Sequence, residues 1–210
     1  MDVGRSTFTA PLILLALAAL LGMQQPSHAG RFNKVLSVGD RAPAWTDLAG
    51  VDDRKHSLAE LKEAKAVVVI FTCNHCPVAT AYQDRFTRLT KDYEGQGVAV
   101  VAISVSRDAA DSLEKMKARA KEKGYSFPYL QDPTQDIGRR YGATRTPQLF
   151  VLGGERKIAY MGALDDDNDP EAAKKHYVRA ALDAVLAGKK PDVTETRPRG
   201  CEIEWAEDGK

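Results

Sequence analysis

Cys73 and Cys76 bracket Asn74 and His75, and residues of these types at this spacing are equipped for thiol–disulfide exchange. Cysteines at i and i+3 share one face of a helical turn, which suits a reversible disulfide. The attacking form of a cysteine is its thiolate. At the start of a helix, unpaired amides and the helix dipole favour an anion and can lower a thiol pKa to roughly 3.5–7.5. Cys73 therefore reads as the attacking thiol and Cys76 as the thiol that resolves the mixed disulfide. His75 adds a positive or hydrogen-bonding group beside the sulfur, and Asn74 completes the candidate catalytic set. The alternatives are a structural disulfide or half of a zinc site. Zinc usually needs a second ligand pair at comparable spacing, and the sequence has none. No metal and no cofactor is expected.

The flanking residues supply the elements that hold such a pair. Ala66-Val67-Val68-Val69-Ile70 is an apolar, β-branched run that predicts a buried strand, and Phe86, Leu89 and Tyr93 recur at helical spacing across Tyr82 to Tyr93. The motif thus sits where a strand turns into a helix. Gly95 and Gly97 close that helix, and Val98 to Ile103 follows as a second buried run, so the two strands should be parallel neighbours in a βαβ unit. Upstream, Gly39 to Leu48 reads as a turn and short strand, and Ser57-Leu58-Ala59-Glu60 as a capping box. Downstream come a charged helix over Asp108 to Lys123 with a solvated Lys/Glu face, a short strand within Tyr125 to Leu130, and a short helix over Asp136 to Tyr141. Gln148 to Leu152 and Lys157 to Met161 flank Gly153-Gly154 as a hairpin. Asp169-Pro170-Glu171 carries the signature of a helix start, and that helix should run to about Ala187.

At 210 residues, 43% hydrophobic and 28% charged, the chain suits one globular domain. Its formal net charge of +1, with no sustained basic stripe, argues against nucleic acid as a partner. Residues 1–29 read as a cleavable leader: Arg5, an apolar run from Leu12 to Met23, and small residues before a cut between Ala29 and Gly30. That run is shorter than the roughly 20 residues of a spanning helix, so no permanent membrane anchor is expected. The expected organisation is leader 1–29, domain 30–188 and tail 189–210. The mature protein would be exported, periplasmic or secreted, where a cysteine pair can exchange disulfides.

The order of strand, CxxC, helix, strand, helix, Thr146-Pro147, hairpin and final helix resembles the thioredoxin-like superfamily. With Gly39-Asp40-Arg41-Ala42-Pro43 and Ser57-Leu58, it is similar to the redoxin branch of alkyl hydroperoxide reductase and thiol-specific antioxidant proteins, which includes exported thiol reductases. The resemblance implies an α/β fold, a three-layer α/β/α sandwich around a central mixed sheet. It also implies a cis bond before Pro147 facing the cysteines and a Thr146 backbone that pairs with an extended substrate segment. The substrates would be protein thiols or disulfides, served by an unidentified redox partner. His75 resembles the histidine of exported oxidases and isomerases. Two departures stand out: no acid is buried in the strand before the motif, and Thr72 stands where thioredoxins place tryptophan.

Cys201 is a candidate third redox thiol if the tail folds back, anchored by Ile203 and Trp205, with Cα separations below about 7 Å. Otherwise it is a free or intermolecular thiol. The acidic run Asp165-Asp166-Asp167-Asn168-Asp169 lacks the ligand spacing, central glycine and distal glutamate of a calcium loop. Two other functions compete with disulfide exchange. A thiol peroxidase expects a proline and threonine upstream of Cys73, where Val69 and Ile70 stand. A Cu(I) carrier would use Cys73, Cys76 and a histidine or Cys201, with His56 and His176 as distant candidates.

Overall fold

All seven residues of the strand before the motif, Ala66–Thr72, are buried, as its unbroken apolar character requires of a strand covered on both faces. The computed structural model describes Met1 and residues 29–207. The expected leader lies outside the described residues, apart from its two ends. In chain order the elements are β1 (Leu48–Gly50), β2 (Lys55–His56), β3 (Ala66–Thr72), α1 (Pro77–Asp92), β4 (Val98–Ser104), α2 (Leu113–Lys123) and β5 (Tyr129–Gln131). They continue with α3 (Asp136–Tyr141), β6 (Arg145–Thr146), β7 (Gln148–Leu152), β8 (Ile158–Gly162), α4 (Tyr177–Leu186) and β9 (Cys201–Glu202). Among the described residues no helix is long and apolar enough to cross a membrane.

β3 lies at the heart of a seven-stranded mixed sheet of order β2-β1-β5-β4-β3-β7-β8. It pairs in parallel with β4, Ile70 opposite Ala102, and antiparallel with β7, Ile70 opposite Leu149. The side-chain alternation of β3 then builds two cores. Val68 and Ile70 pack with Phe86 of α1, Met116 of α2 and Leu182 of α4. Val67, Val69 and Phe71 face the other way, onto Trp45, Leu58, Ile137 and Tyr141 of α3. Burying each such Val, Ile or Phe contributes about 1.5–3 kcal/mol. The result is the three-layer α/β/α sandwich of the thioredoxin-like class that the sequence resemblance implies.

Two expected helices start later than their sequence signals indicate. α2 begins at Leu113, capped by the Ser112 side chain on the Lys115 amide, and 109–111 form a separate 3-10 turn. The expected helix from Asp169 is replaced by turns up to His176. The Asp166 carboxylate accepts from the Lys174 and Lys175 amides at 2.8 and 2.9 Å, closing a loop where helix would run. That loop is also fastened to α1: Arg85 pairs with Asp165 at 2.7 Å, and the Tyr82 hydroxyl donates to Asp165 at 2.9 Å. The acidic run thus serves as a clasp between loop and helix.

The segment after α4 does not trail away. The Glu195 carboxylate accepts from the amides of Arg31, Phe32 and Asn33 at 2.7, 2.6 and 3.0 Å, tying the two ends of the domain together. Further on, β9 pairs antiparallel with β6, Thr146 opposite Cys201.

Candidate active site

The helix after the motif begins at Pro77, whose missing N–H is no loss at a first helical position. This makes Cys76 the N-cap, its Sγ accepting from the Ala79 amide at 3.4 Å. Cys73 sits in the loop before the helix, not at the helix mouth as expected. The backbone amides of His75 and Cys76 follow it in the same loop. Cys73 is 1% exposed and Cys76 is fully buried.

That placement corrects the expectation of a lowered Cys73 pKa. Burial pushes the Cys73 thiol up, and the Asp111 carboxylate pushes it the same way. The Thr146 hydroxyl and the two loop amides pull in the opposite direction without overcoming burial.

Asp111 is the residue that sequence reasoning missed. The sequence reading puts it within a charged helix over 108–123, yet it is completely buried in the 3-10 turn after β4. Its Oδ1 accepts from the Asn74 amide, and its Oδ2 lies 2.5 Å from His75 Nδ1. A buried acid thus stands against the motif on the turn after β4. Asn74 works alongside it as a positioning residue. Its side-chain amide donates to the Ala110 carbonyl at 3.0 Å and its oxygen accepts from the Tyr129 hydroxyl at 3.1 Å. The motif loop is thus bolted to the turn after β4, leaving His75 with its side chain 44% exposed at the rim.

Opposite the motif stands Thr146, and the peptide bond to Pro147 is cis. Thr146 Oγ1 is 3.2 Å from Cys73 Sγ, and Cys76 Sγ is 3.2 Å from the Thr146 carbonyl oxygen. The backbone edge expected to receive a substrate segment is filled by the chain's own β9. Cys201 therefore joins the site, disulfide-bonded to Cys76 with Cα atoms 6.1 Å apart, and Cys73 is the free thiol. The expected Cys73–Cys76 pair is not the bond present, because docking of the tail puts Cys201 directly over Cys76.

A cavity of about 340 Å³ opens beside Cys73, lined by His75, Ser106, Arg107 and Thr146 on one side and by Glu202 and Ile203 of the tail on the other. Donor atoms of Cys73, His75 and Asp111 lie within 4.8 Å of one another, close enough to share one ion. Neither distant histidine joins them; His56 is held by Asp52 at 3.0 Å and Glu60 at 3.4 Å. A set of one thiolate, one imidazole and one carboxylate is harder than Cu(I) prefers.

Comparison with known proteins gives a consistent result. The family model described as Redoxin matches residues 37–177. An uncharacterised conserved protein of Geobacillus kaustophilus superposes with a TM-score of 0.77 and 38% identity, covering 82% of this chain and 94% of that one. A Mycobacterium tuberculosis protein named as a peroxiredoxin is 30% identical over 132 residues, 63% of this chain and 80% of its own. The thiol-disulfide oxidoreductase ResA of Bacillus cereus is 26% identical over 151 residues, 70% of this chain and 82% of its own.

Proposed function

The chain belongs to the Redoxin family, and from that premise we propose that it is an exported thiol–disulfide oxidoreductase acting on protein cysteines. The observation that carries the reading is the gathering of all three sulfurs around Thr146. Cys73 is free to attack, and Cys76 stands where it can take over the bond.

In the forward step the Cys73 thiolate attacks a client disulfide. A Cys73–client bond forms, the client S–S bond breaks and one client thiolate leaves. The Cys76 thiolate, in the reduced protein, then attacks Cys73 Sγ and expels the second client thiolate. The client gains two electrons and the protein loses two. Because burial holds the Cys73 proton tightly, the step needs a base at hand. In this reading the imidazole of His75, held at Nδ1 by Asp111 and open to solvent, takes that proton and passes it to water. Run backwards, the same steps oxidise a client dithiol, and the reduction potential of the protein sets the direction.

Reduction of a peptide disulfide with dithiothreitol as electron donor tests the proposal. Turnover should vanish in Cys73→Ser; a Cys73→Ser protein that keeps it overturns the assignment. A second reading, thiol peroxidase, is favoured by the cavity beside Cys73 and by the relative named as a peroxiredoxin. It predicts hydrogen peroxide consumption that outpaces disulfide reduction under the same donor.

A further inference from the structure

Of the three sulfurs, Cys76 is bonded to Cys201 and shares Thr146 with Cys73, Cys73 lines the cavity, and Cys201 alone is half-buried. The tail that carries Cys201 is held in register by more than its disulfide. Arg145 Nη1 donates to the Gly200 carbonyl at 2.8 Å, and the Ile203 amide to the Thr144 carbonyl at 3.0 Å. Gln135 donates to the Glu204 carbonyl at 2.9 Å and accepts from the Ala206 amide at 2.8 Å. Gly200, at φ +142, brings its backbone so near Thr146 that a Cβ there would lie 2.0 Å from the Thr146 oxygen. The Arg139 guanidinium lies 4.9 Å over the Trp205 ring. This is a built dock for one cysteine at one place, opposite Thr146.

We propose that Cys201 is the last member of an intramolecular disulfide relay, an inference that rests on Cys73 being the attacking thiol. Once client reduction has left a Cys73–Cys76 disulfide, the Cys201 thiolate attacks Cys76 Sγ. The Cys76–Cys201 bond forms, the Cys73–Cys76 bond breaks, and Cys73 leaves as thiolate. No electrons enter or leave the protein in this step; the two-electron oxidation moves from the motif to the tail. The proton given up by Cys201 balances the one Cys73 regains.

The relay separates the two half-reactions in space. Clients meet Cys73 through the cavity. A partner of the dithiol class attacks the more accessible Cys201 Sγ instead, releasing the Cys76 thiolate. The partner's second thiol then breaks the partner–Cys201 bond, which restores the Cys201 thiol and leaves the partner as a disulfide. The bond between Cys76 and Cys201 is thus the oxidised resting form of the enzyme.

The fully reduced chain, mixed with less than one equivalent of a peptide disulfide, quenched in acid at intervals and alkylated with N-ethylmaleimide, tests this by non-reducing peptide mapping. The Cys73–Cys76 link should appear first and decay as Cys76–Cys201 rises, ending with the alkyl group on Cys73. In Cys201→Ser the Cys73–Cys76 link should be the end product. In Cys73→Ser the Cys76–Cys201 link should form at least about tenfold more slowly, because Cys73 lines the cavity that admits the client and Cys76 and Cys201 do not. An end point in wild type with Cys73–Cys76 linked and Cys201 alkylated overturns the relay while leaving client exchange at Cys73 intact. So does a Cys76–Cys201 link that forms equally fast without Cys73. Failure of the wild-type chain to reduce the peptide at all defeats the parent reading, and the relay with it.

Discussion

Reducing the bond between Cys76 and Cys201 should cost far more stability than reducing a bond within the motif could. The two cysteines are 125 residues apart in sequence. Closing a loop of that length removes unfolded-state entropy worth about 4.9 kcal/mol at 25 °C in the chain-entropy treatment, an upper value for a bond without native strain. A bond from Cys73 to Cys76 closes only one turn and is worth about 2 kcal/mol on the same scale. For a domain of this size each kcal/mol moves the Tm by about 2–4 °C, so the oxidised protein should melt on the order of 10–20 °C above the reduced one. Differential scanning calorimetry with and without a phosphine reductant measures the shift. Cys201→Ser should show a redox shift of no more than roughly 8 °C, that of the short loop. Equal shifts in wild type and Cys201→Ser would refute the reasoning, since the long loop would then not be closed in solution.

Asp111→Asn keeps an acceptor for the Asn74 amide but removes the negative charge beside Cys73. The pH midpoint for iodoacetamide alkylation of Cys73 in the reduced protein should therefore fall, and a midpoint that stays or rises would contradict the electrostatic role of Asp111. Gly200→Ala places a methyl group against the Thr146 backbone at a φ that L-residues rarely adopt, a conflict of about 1–3 kcal/mol. The tail should undock and proteolysis should cut there faster, with Cys73 alkylated more quickly; an unchanged cleavage pattern would show that the tail is held by other means. The raised Cys73 pKa also fixes a pH dependence. A thiol ionises more readily unfolded than in this site, so its contribution is full below the ordinary thiol pKa and is lost as pH climbs from there through the folded-state value. Reduced wild type should thus lose stability on the alkaline side more steeply than reduced Cys73→Ser, and parallel curves would contradict the burial argument.

Much of the scaffold was legible because its signals are local. The buried run of β3, the period of Phe86 and Leu89, and the glycines of the hairpin turn each specify an element within a dozen residues. The parallel pairing of β3 with β4 follows from two such runs joined by a helix. What escaped reading depends on competition between signals for the same backbone groups. Asp111 looks like the first turn of a charged helix, and only the cap at Ser112 turns it inward toward Asn74 and His75. Asp169-Pro170-Glu171 looks like a helix start, but Asp166 captures the amides that the helix would need. The proline at the head of α1 was in plain view, and its consequence is that Cys76, not Cys73, caps the helix. The site of Cys201 could be guessed but not fixed, since the pairing of residues 146 and 201 is written in Gly200, Arg145 and Gln135 together.

Attack by Cys73 is what the whole account depends on, and trapping tests it most directly. In Cys76→Ser, which cannot resolve a mixed disulfide at the motif, incubation with a peptide disulfide followed by non-reducing mass mapping should find the peptide attached to Cys73. Attachment to Cys201 with Cys73 left as a free thiol would contradict the assignment on which the mechanism and the relay are built.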